Sequence, residues 1–178
     1  RCTSRGLGDV YKRQAQALLE GTGARVLDTR KTTPGLRAFE KWAVALGGGT
    51  NHRMGLYDMV LIKDTHVDYA GSMTEALRGV HRYFEAGAER VPVVVEVRSM
   101  EELREARHAA AEVGLGLTRL LLDNFTPDQA REAVAEVAGA LPLEASGGID
   151  LTNLREYGES GVNFVSMGAM THIVKSFD

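Results

Sequence analysis

Six short apolar runs punctuate the chain, at residues 25–29, 59–63, 91–97, 120–123, 143–146 and 164–167. They are continuous rather than alternating, the pattern of parallel strands covered on both faces. Between them, apolar positions recur at helical spacing. Phe39, Trp42, Ala43 and Leu46 fall at i, i+3, i+4 and i+7, with Gly47 as a stop. That spacing predicts a helix burying these side chains, and leaves Arg25, Arg37 and Lys41 as solvated charges. Met73, Ala76, Leu77, Val80 and Phe84 make a second stripe, opened by a Ser72/Glu75 capping box and closed by Gly87. Leu103, Ala106, Ala110 and Val113 make a third, between a Ser99/Glu102 box and Gly114. Thr126-Pro127-Asp128-Gln129 opens a fourth, with proline at the first helical position and Ala130, Ala133, Val134 and Val137 as its apolar face. A last short helix near Asp150 carries Leu151, Leu154 and Tyr157.

The order is strand then helix, repeated at roughly 25–30 residues per unit, as right-handed parallel crossovers require. An open doubly wound sheet and a β/α barrel both fit. No G-x-G-x-x-G follows the first run, which weakens the dinucleotide-binding form of the open sheet. Residues 1–14 have no apolar period. They hold four basic residues and one acid, a balance of +3, against −3 for the whole chain and therefore −6 for the rest. They read as a non-native or disordered segment, with helix-favouring sequence from about Tyr11 to Glu20.

Composition narrows the function. The net charge of −3 disfavours a general nucleic-acid surface. The apolar runs are too short to cross a membrane, and no secretory signal pattern is present. The single cysteine, Cys2, excludes an internal disulfide framework and a multi-cysteine metal site. A reducing cytoplasm is the expected location.

In β/α barrels the chemistry sits at the C-terminal ends of the strands. Those ends here carry Asp28-Thr29-Arg30-Lys31, Lys63-Asp64-Thr65-His66, Glu96, Asp123-Asn124, Ser146-Gly147-Gly148 and Ser166-Met167-Gly168. Arg30, Lys31 and Lys63, with His52-Arg53, make a cationic side, and Glu96 and Asp123 an anionic one. The glycine-bearing ends offer bare backbone N–H groups, which suit phosphate. The substrates implied are a multiply anionic molecule and a phosphate carrying hydroxyls or a metal. Each residue also has a plainer use: Glu96 as half of a structural ion pair, Asp123 as a helix cap, 146–148 as a tight turn. Gly47-Gly48-Gly49 reads as a flexible connector, and His66 and His172 as surface or packing residues. Lys63 is also placed as a Schiff-base lysine would be.

The segments LDTRKTTPGLR (27–37), GGGTNHRMGLYDMVLIKDTH (47–66), VVVEVRSMEEL (93–103), LLLDNFTP (120–127), LEASGGI (143–149) and VSMGAMTH (165–172) resemble the quinolinate phosphoribosyltransferase family, also called nicotinate-nucleotide pyrophosphorylase. The resemblance runs from about Ala15 to the end. It implies an α/β fold, an incomplete (open) β/α barrel of the type II phosphoribosyltransferase kind, over residues 15–178. In the family an N-terminal sandwich domain precedes that barrel, so the chain reads as a truncated piece. It implies transfer of phosphoribosyl from phosphoribosyl pyrophosphate to quinolinate, with Mg2+, giving nicotinate mononucleotide, pyrophosphate and carbon dioxide in NAD synthesis. By the same resemblance Thr29, Arg30, His52, Arg53 and Lys63 hold quinolinate. Lys31, Glu96 and Asp123 carry catalysis, with Mg2+ near the two acids. Lys31, Glu96, Asp123, Ser146, Gly147, Gly148, Gly168 and Ala169 hold phosphoribosyl pyrophosphate. A homodimer or higher homo-oligomer of the complete protein is also implied. The other readings are a non-decarboxylating phosphoribosyltransferase on the same fold, a Schiff-base aldolase through Lys63, and an inactive fragment.

Overall fold

All six apolar runs form strands: β1 (Arg25–Leu27), β2 (Val60–Ile62), β3 (Val93–Val97), β4 (Arg119–Asp123), β5 (Leu143–Ser146) and β6 (Phe164–Ser166). Among the described residues seven helices accompany them: α1 (Gly6–Leu18), α2 (Arg37–Leu46), α3 (Asp64–Ala70), α4 (Met73–Glu85), α5 (Met100–Val113), α6 (Pro127–Val137) and α7 (Leu154–Glu159), with a short 3-10 turn at Gly168–Met170. The structure is a computed structural model that describes the backbone of residues 6–171. Cys2 and His172 lie outside the described residues.

The strands are all parallel, in the order β1-β6-β5-β4-β3-β2. A doubly wound sheet would place β1 centrally. Here β1 pairs with β6, the neighbour it would have in a ring, so the sheet is a barrel left open between β1 and β2. The stretch between the two edge strands enters that seam. Thr50 pairs with β1 through its N–H to Val26 O (2.8 Å) and through Asp28 N–H to its own carbonyl (3.2 Å).

Residues alternate across the strands. Val93, Val95, Val97, Leu120, Leu122, Leu143, Ala145 and Val165 join the apolar core beneath the helices. Between them, Glu96, Leu121, Asp123, Glu144, Ser146 and Ser166 turn to the concave face. Both faces are covered, so the runs read as continuously apolar, yet one face carries the polar groups. The predicted N-caps form, but of the expected boxes at Ser72/Glu75 and Ser99/Glu102 only the serine half is made. Ser72, Ser99 and Thr126 accept from the N–H groups of Glu75, Glu102 and Gln129. Thr126 N–H donates in return to Gln129 Oε1 (2.8 Å), so α6 is capped without Asp123.

The structure corrects the sequence reading in several places. On α2 the apolar stripe faces outward: Phe39, Trp42 and Leu46 are 66, 63 and 62% exposed. The buried residues of α2 are Lys41 and Val44. Lys41, expected in solvent, is wholly buried because Asp28 beneath it holds its ammonium. Arg37 is also occupied, donating to Thr32 Oγ1, Arg30 O and Met54 O. Helix α3 was not expected; it buries no side chain and so leaves no apolar stripe. His66 serves as its cap, its Nδ1 accepting from Lys63 N–H (2.9 Å). Helix α1 begins at Gly6, inside the segment read as patternless. Gly47–Gly49 is a packed turn rather than a flexible connector, since a Cβ on Gly49 would come within 2.8 Å of Val44 Cγ1. No described helix is long and apolar enough to cross a membrane.

Candidate active site

The C-terminal strand ends and the seam loop enclose an open cavity of about 720 Å3. All of Thr29, Arg30, Lys31, His52, Arg53, Lys63, Glu96, Asp123, Ser146, Gly147, Gly148, Gly168 and Ala169 line it. The topology brings them together, since parallel strands point every C-terminal end to one rim.

One wall is cationic. Arg53 donates from Nη1 to Met59 O (3.0 Å), which ties it across the seam loop. Arg30 Nε is buried with no hydrogen-bond partner in the protein. Burial, and then the neighbouring Arg30 charge, lower the Arg53 pKa. Two guanidiniums held close together, with no carboxylate in salt-bridge contact among the described residues, favour an anion with more than one negative charge. Lys31 is exposed at the rim; its N–H donates to Thr29 Oγ1 (3.0 Å) and its carbonyl accepts from Thr171 Oγ1 (2.6 Å).

The other wall is acidic. Glu96, buried on β3, forms an ion pair with Lys63, which follows the adjacent strand β2. Asp123, at the end of β4, accepts from Asn124 Nδ2 (2.8 Å). The third wall is backbone. Gly147 (φ 101°) and Gly148 (φ 59°) follow β5 in conformations that glycine tolerates best. A Cβ on Gly147 would overlap the Asn124 side chain and lie 2.9 Å from the Asn124 backbone N. Bare N–H groups in such a turn form an anion-binding concavity.

Behind these walls lie buried ionic groups whose roles were not legible in the sequence. Asp28 Oδ1 accepts from Lys41 Nζ (2.6 Å) and from His52 N–H (2.8 Å), and Lys41 Nζ also donates to His52 O (2.9 Å). With its amide turned to donate, Asn51 reaches Asp28 Oδ2 (2.8 Å) and Lys41 O (2.9 Å). This pair holds the backbone of residues 51–52 in place. Burial raises the Asp28 pKa, against the opposing pull of Lys41. Farther along the loop, Asp58 accepts from Met54 N–H (2.7 Å) and Gly55 N–H (2.9 Å). Burial alone would raise the Asp58 pKa, but these bonds outweigh it and hold it low. Glu144, on β5, has no exposed side-chain surface and pairs with Arg119 at 2.7 Å. The strand-end rule looks only at the last residue or two, and Asp58, Arg119 and Glu144 sit outside that window.

Among the described residues no three side chains of metal-ligating type cluster. Of the carboxylates that line the cavity, Glu144 is taken up by Arg119 and Ser166, and the remaining Glu96, Asp123 and Asp150 form no cluster, an arrangement that fits Mg2+ arriving on a phosphate-bearing substrate better than a resident metal.

A family model described as "Quinolinate phosphoribosyl transferase, C-terminal domain" matches residues 10–178. The chain is 42% identical over 182 residues to quinolinate phosphoribosyltransferase (decarboxylating) 2, mitochondrial, of Nicotiana glauca, covering 97% of this chain and 51% of that protein. It is 43% identical over 166 residues to the probable nicotinate-nucleotide pyrophosphorylase (carboxylating) of Bacillus subtilis, covering 93% and 54%. Among solved structures it matches the nicotinate-nucleotide pyrophosphorylase of Francisella tularensis with a TM-score of 0.85 at 34% identity, covering 94% of this chain and 56% of that one. The chain thus spans about half the length of the curated relatives it matches.

Proposed function

The chain belongs to the quinolinate phosphoribosyltransferase family, and on that premise we propose that its cavity joins quinolinate to phosphoribosyl pyrophosphate with loss of carbon dioxide. The observation that carries this reading is the half-buried Arg30–Arg53 pair, which lines a cavity whose far side carries Glu96 and Asp123. A pyridine dicarboxylate supplies the two charges that this wall needs. Arginine forks match carboxylates in plane, and Lys63 adds a third cation.

The ring nitrogen of quinolinate attacks the anomeric carbon of the sugar, and the bond to pyrophosphate breaks with its electron pair. Positive charge develops on the sugar, where Glu96 and Asp123 stabilise it. Lys31 meets the leaving pyrophosphate. The turn of Ser146, Gly147 and Gly148, with Gly168 and Ala169, holds the 5′-phosphate by backbone N–H groups. The carboxylate next to the now positive ring nitrogen then leaves as carbon dioxide. Its electron pair stays on the ring carbon, which takes up a proton. When bound, Mg2+ would neutralise charge on the pyrophosphate, and Glu96 and Asp123 are the residues that would hold it.

The chain acts in this reading as the barrel domain of a cytoplasmic homodimer or higher homo-oligomer, preceded in the complete protein by a sandwich domain. The length ratio to its relatives supports the second point. Product analysis tests the reaction: quinolinate and phosphoribosyl pyrophosphate with Mg2+ should yield nicotinate mononucleotide and carbon dioxide in equal amounts. Equal use of nicotinate, with no gas released, would favour the non-decarboxylating alternative.

A further inference from the structure

Glu144 has a carboxylate with no exposed surface, and the reaction above does not use it. A buried carboxylate is costly to keep unless its partners repay it. Its partners are specific. Oε2 lies 2.7 Å from Arg119 Nε. Oε1 accepts from Ser166 Oγ and faces His52 Nε2 at 3.4 Å. Burial would raise the Glu144 pKa, but His52, Arg119 and Ser166 together hold it low, so it is ionised. Arg119 stacks in turn over Phe164, 4.8 Å from the ring centre.

The state of His52 follows from its two contacts. Nδ1 accepts from Arg53 N–H at 2.8 Å and so carries no proton. The ring proton of a neutral imidazole is then on Nε2, the nitrogen that faces Glu144. Arg119 Nη2 also lies 3.4 Å from Nε2, but both are donors, so that approach is a packing contact. Nδ1 is therefore committed to the backbone of Arg53, and Nε2 faces the Glu144 carboxylate on the barrel floor.

We infer that Glu144 is a positioning residue: through His52 it anchors the backbone of Arg53, and with it the guanidinium that meets the dicarboxylate. His52 then contributes by holding Arg53 in place, without donating a proton to the substrate. The inference rests on the functional reading only for the identity of the anion. The tautomer can be measured without any ligand.

Two arms test it on the full chain, labelled with 15N-histidine. In the first, the ring spectrum is recorded without substrate, and His52 is assigned by its loss in His52→Gln. The expected ring is neutral, unprotonated at Nδ1 and protonated at Nε2. A proton on Nδ1 overturns the inference. In the second arm, quinolinate and phosphoribosyl pyrophosphate are titrated by calorimetry into wild type and Glu144→Gln. The amide keeps the size but turns a donor toward Arg119 and loses the charge. Quinolinate should bind about tenfold more weakly, the scale of a disturbed buried hydrogen bond. Phosphoribosyl pyrophosphate should change less than about twofold, and the His52 ring should become a mixture of tautomers. Unchanged quinolinate affinity, or equal weakening of both ligands, overturns the inference. If Glu144→Gln does not fold, Glu144→Asp keeps the charge, and its shorter reach should still shift the His52 tautomer. A wild-type chain that binds no quinolinate counts against the functional reading, while the spectrum still decides the role of Glu144.

Discussion

Arg53 shows how much of this site depends on geometry beyond charge. Its guanidinium is fixed at Met59 O and sits beside Arg30, so the two planar groups can each meet one carboxylate. Arg53→Lys keeps the charge and loses the fork. Steady-state kinetics should place the loss in the KM for quinolinate, with the phosphoribosyl pyrophosphate KM nearly constant; equal weakening of both would remove Arg53 from the dicarboxylate wall. Glu96 and Asp123 act at a different moment. In the proposed reaction each would face the sugar, where charge appears only in the transition state, so Glu96→Ala and Asp123→Ala should each cost roughly 10²-fold or more in kcat. The melting profile of Asp123→Ala should be unchanged, because Asp123 is partly exposed and caps no helix. Near-normal turnover in either variant would sink that assignment. Glu96 and Asp123 stood out in the sequence despite their plainer uses, because charged groups end several buried strands that a parallel barrel brings to one rim. Asp28, Lys41 and Glu144 did not. Their meaning depends on partners 13 to 24 residues away for Asp28, and 22 or more for Glu144, which only the folded barrel brings together.

At the scale of elements, the strands were readable because burial on both faces leaves an uninterrupted apolar signature, and five residues of β3 are all buried. Helix α2 was placed correctly and faced the wrong way. Spacing shows that an apolar stripe exists; it does not say what covers it, and the Lys41–Asp28 pair decides which face turns inward. The seam loop was also beyond reach of pattern, since its order comes from polar bonds. Asp58 is its main internal tie, accepting from Met54 and Gly55. Asp58→Ala leaves two N–H groups without that acceptor and should destabilise by about 1–3 kcal/mol while raising the quinolinate KM. The sign of its pH dependence follows from a folded pKa below the unfolded one. The contribution of Asp58 is complete above the ordinary carboxylate range and fades as pH falls through and below it. Thermal melts of wild type and Asp58→Ala should therefore converge in acid; a constant gap across pH would mean that the carboxylate charge does not matter.

The whole molecule presents an apolar stripe that its own core does not use: Leu36, Phe39, Trp42 and Leu46, with Leu56 and Tyr57 also exposed on the seam loop. Isolated exposed apolar residues are ordinary, but a helix face with its large side chains turned outward favours association. Phe39 and Trp42 are 66 and 63% exposed, so Phe39→Glu with Trp42→Glu should alter folding stability little, within about 0.5 kcal/mol per substitution. Sedimentation should show wild type associating as concentration rises and the double variant remaining smaller. The pair also separates two accounts of activity in the chain as it stands. If the barrel alone carries the reaction, the double variant should turn over like wild type, because neither residue lines the cavity. If a further domain or a second copy must cover the rim, the 178-residue chain should bind phosphoribosyl pyrophosphate weakly and turn over little, since an open rim admits water and weakens each charged contact. Extending the chain to the length of its relatives should then restore turnover. Full turnover by the homogeneous 178-residue chain, unaffected by the double substitution, would show that the exposed face and anything docked on it are dispensable to the chemistry.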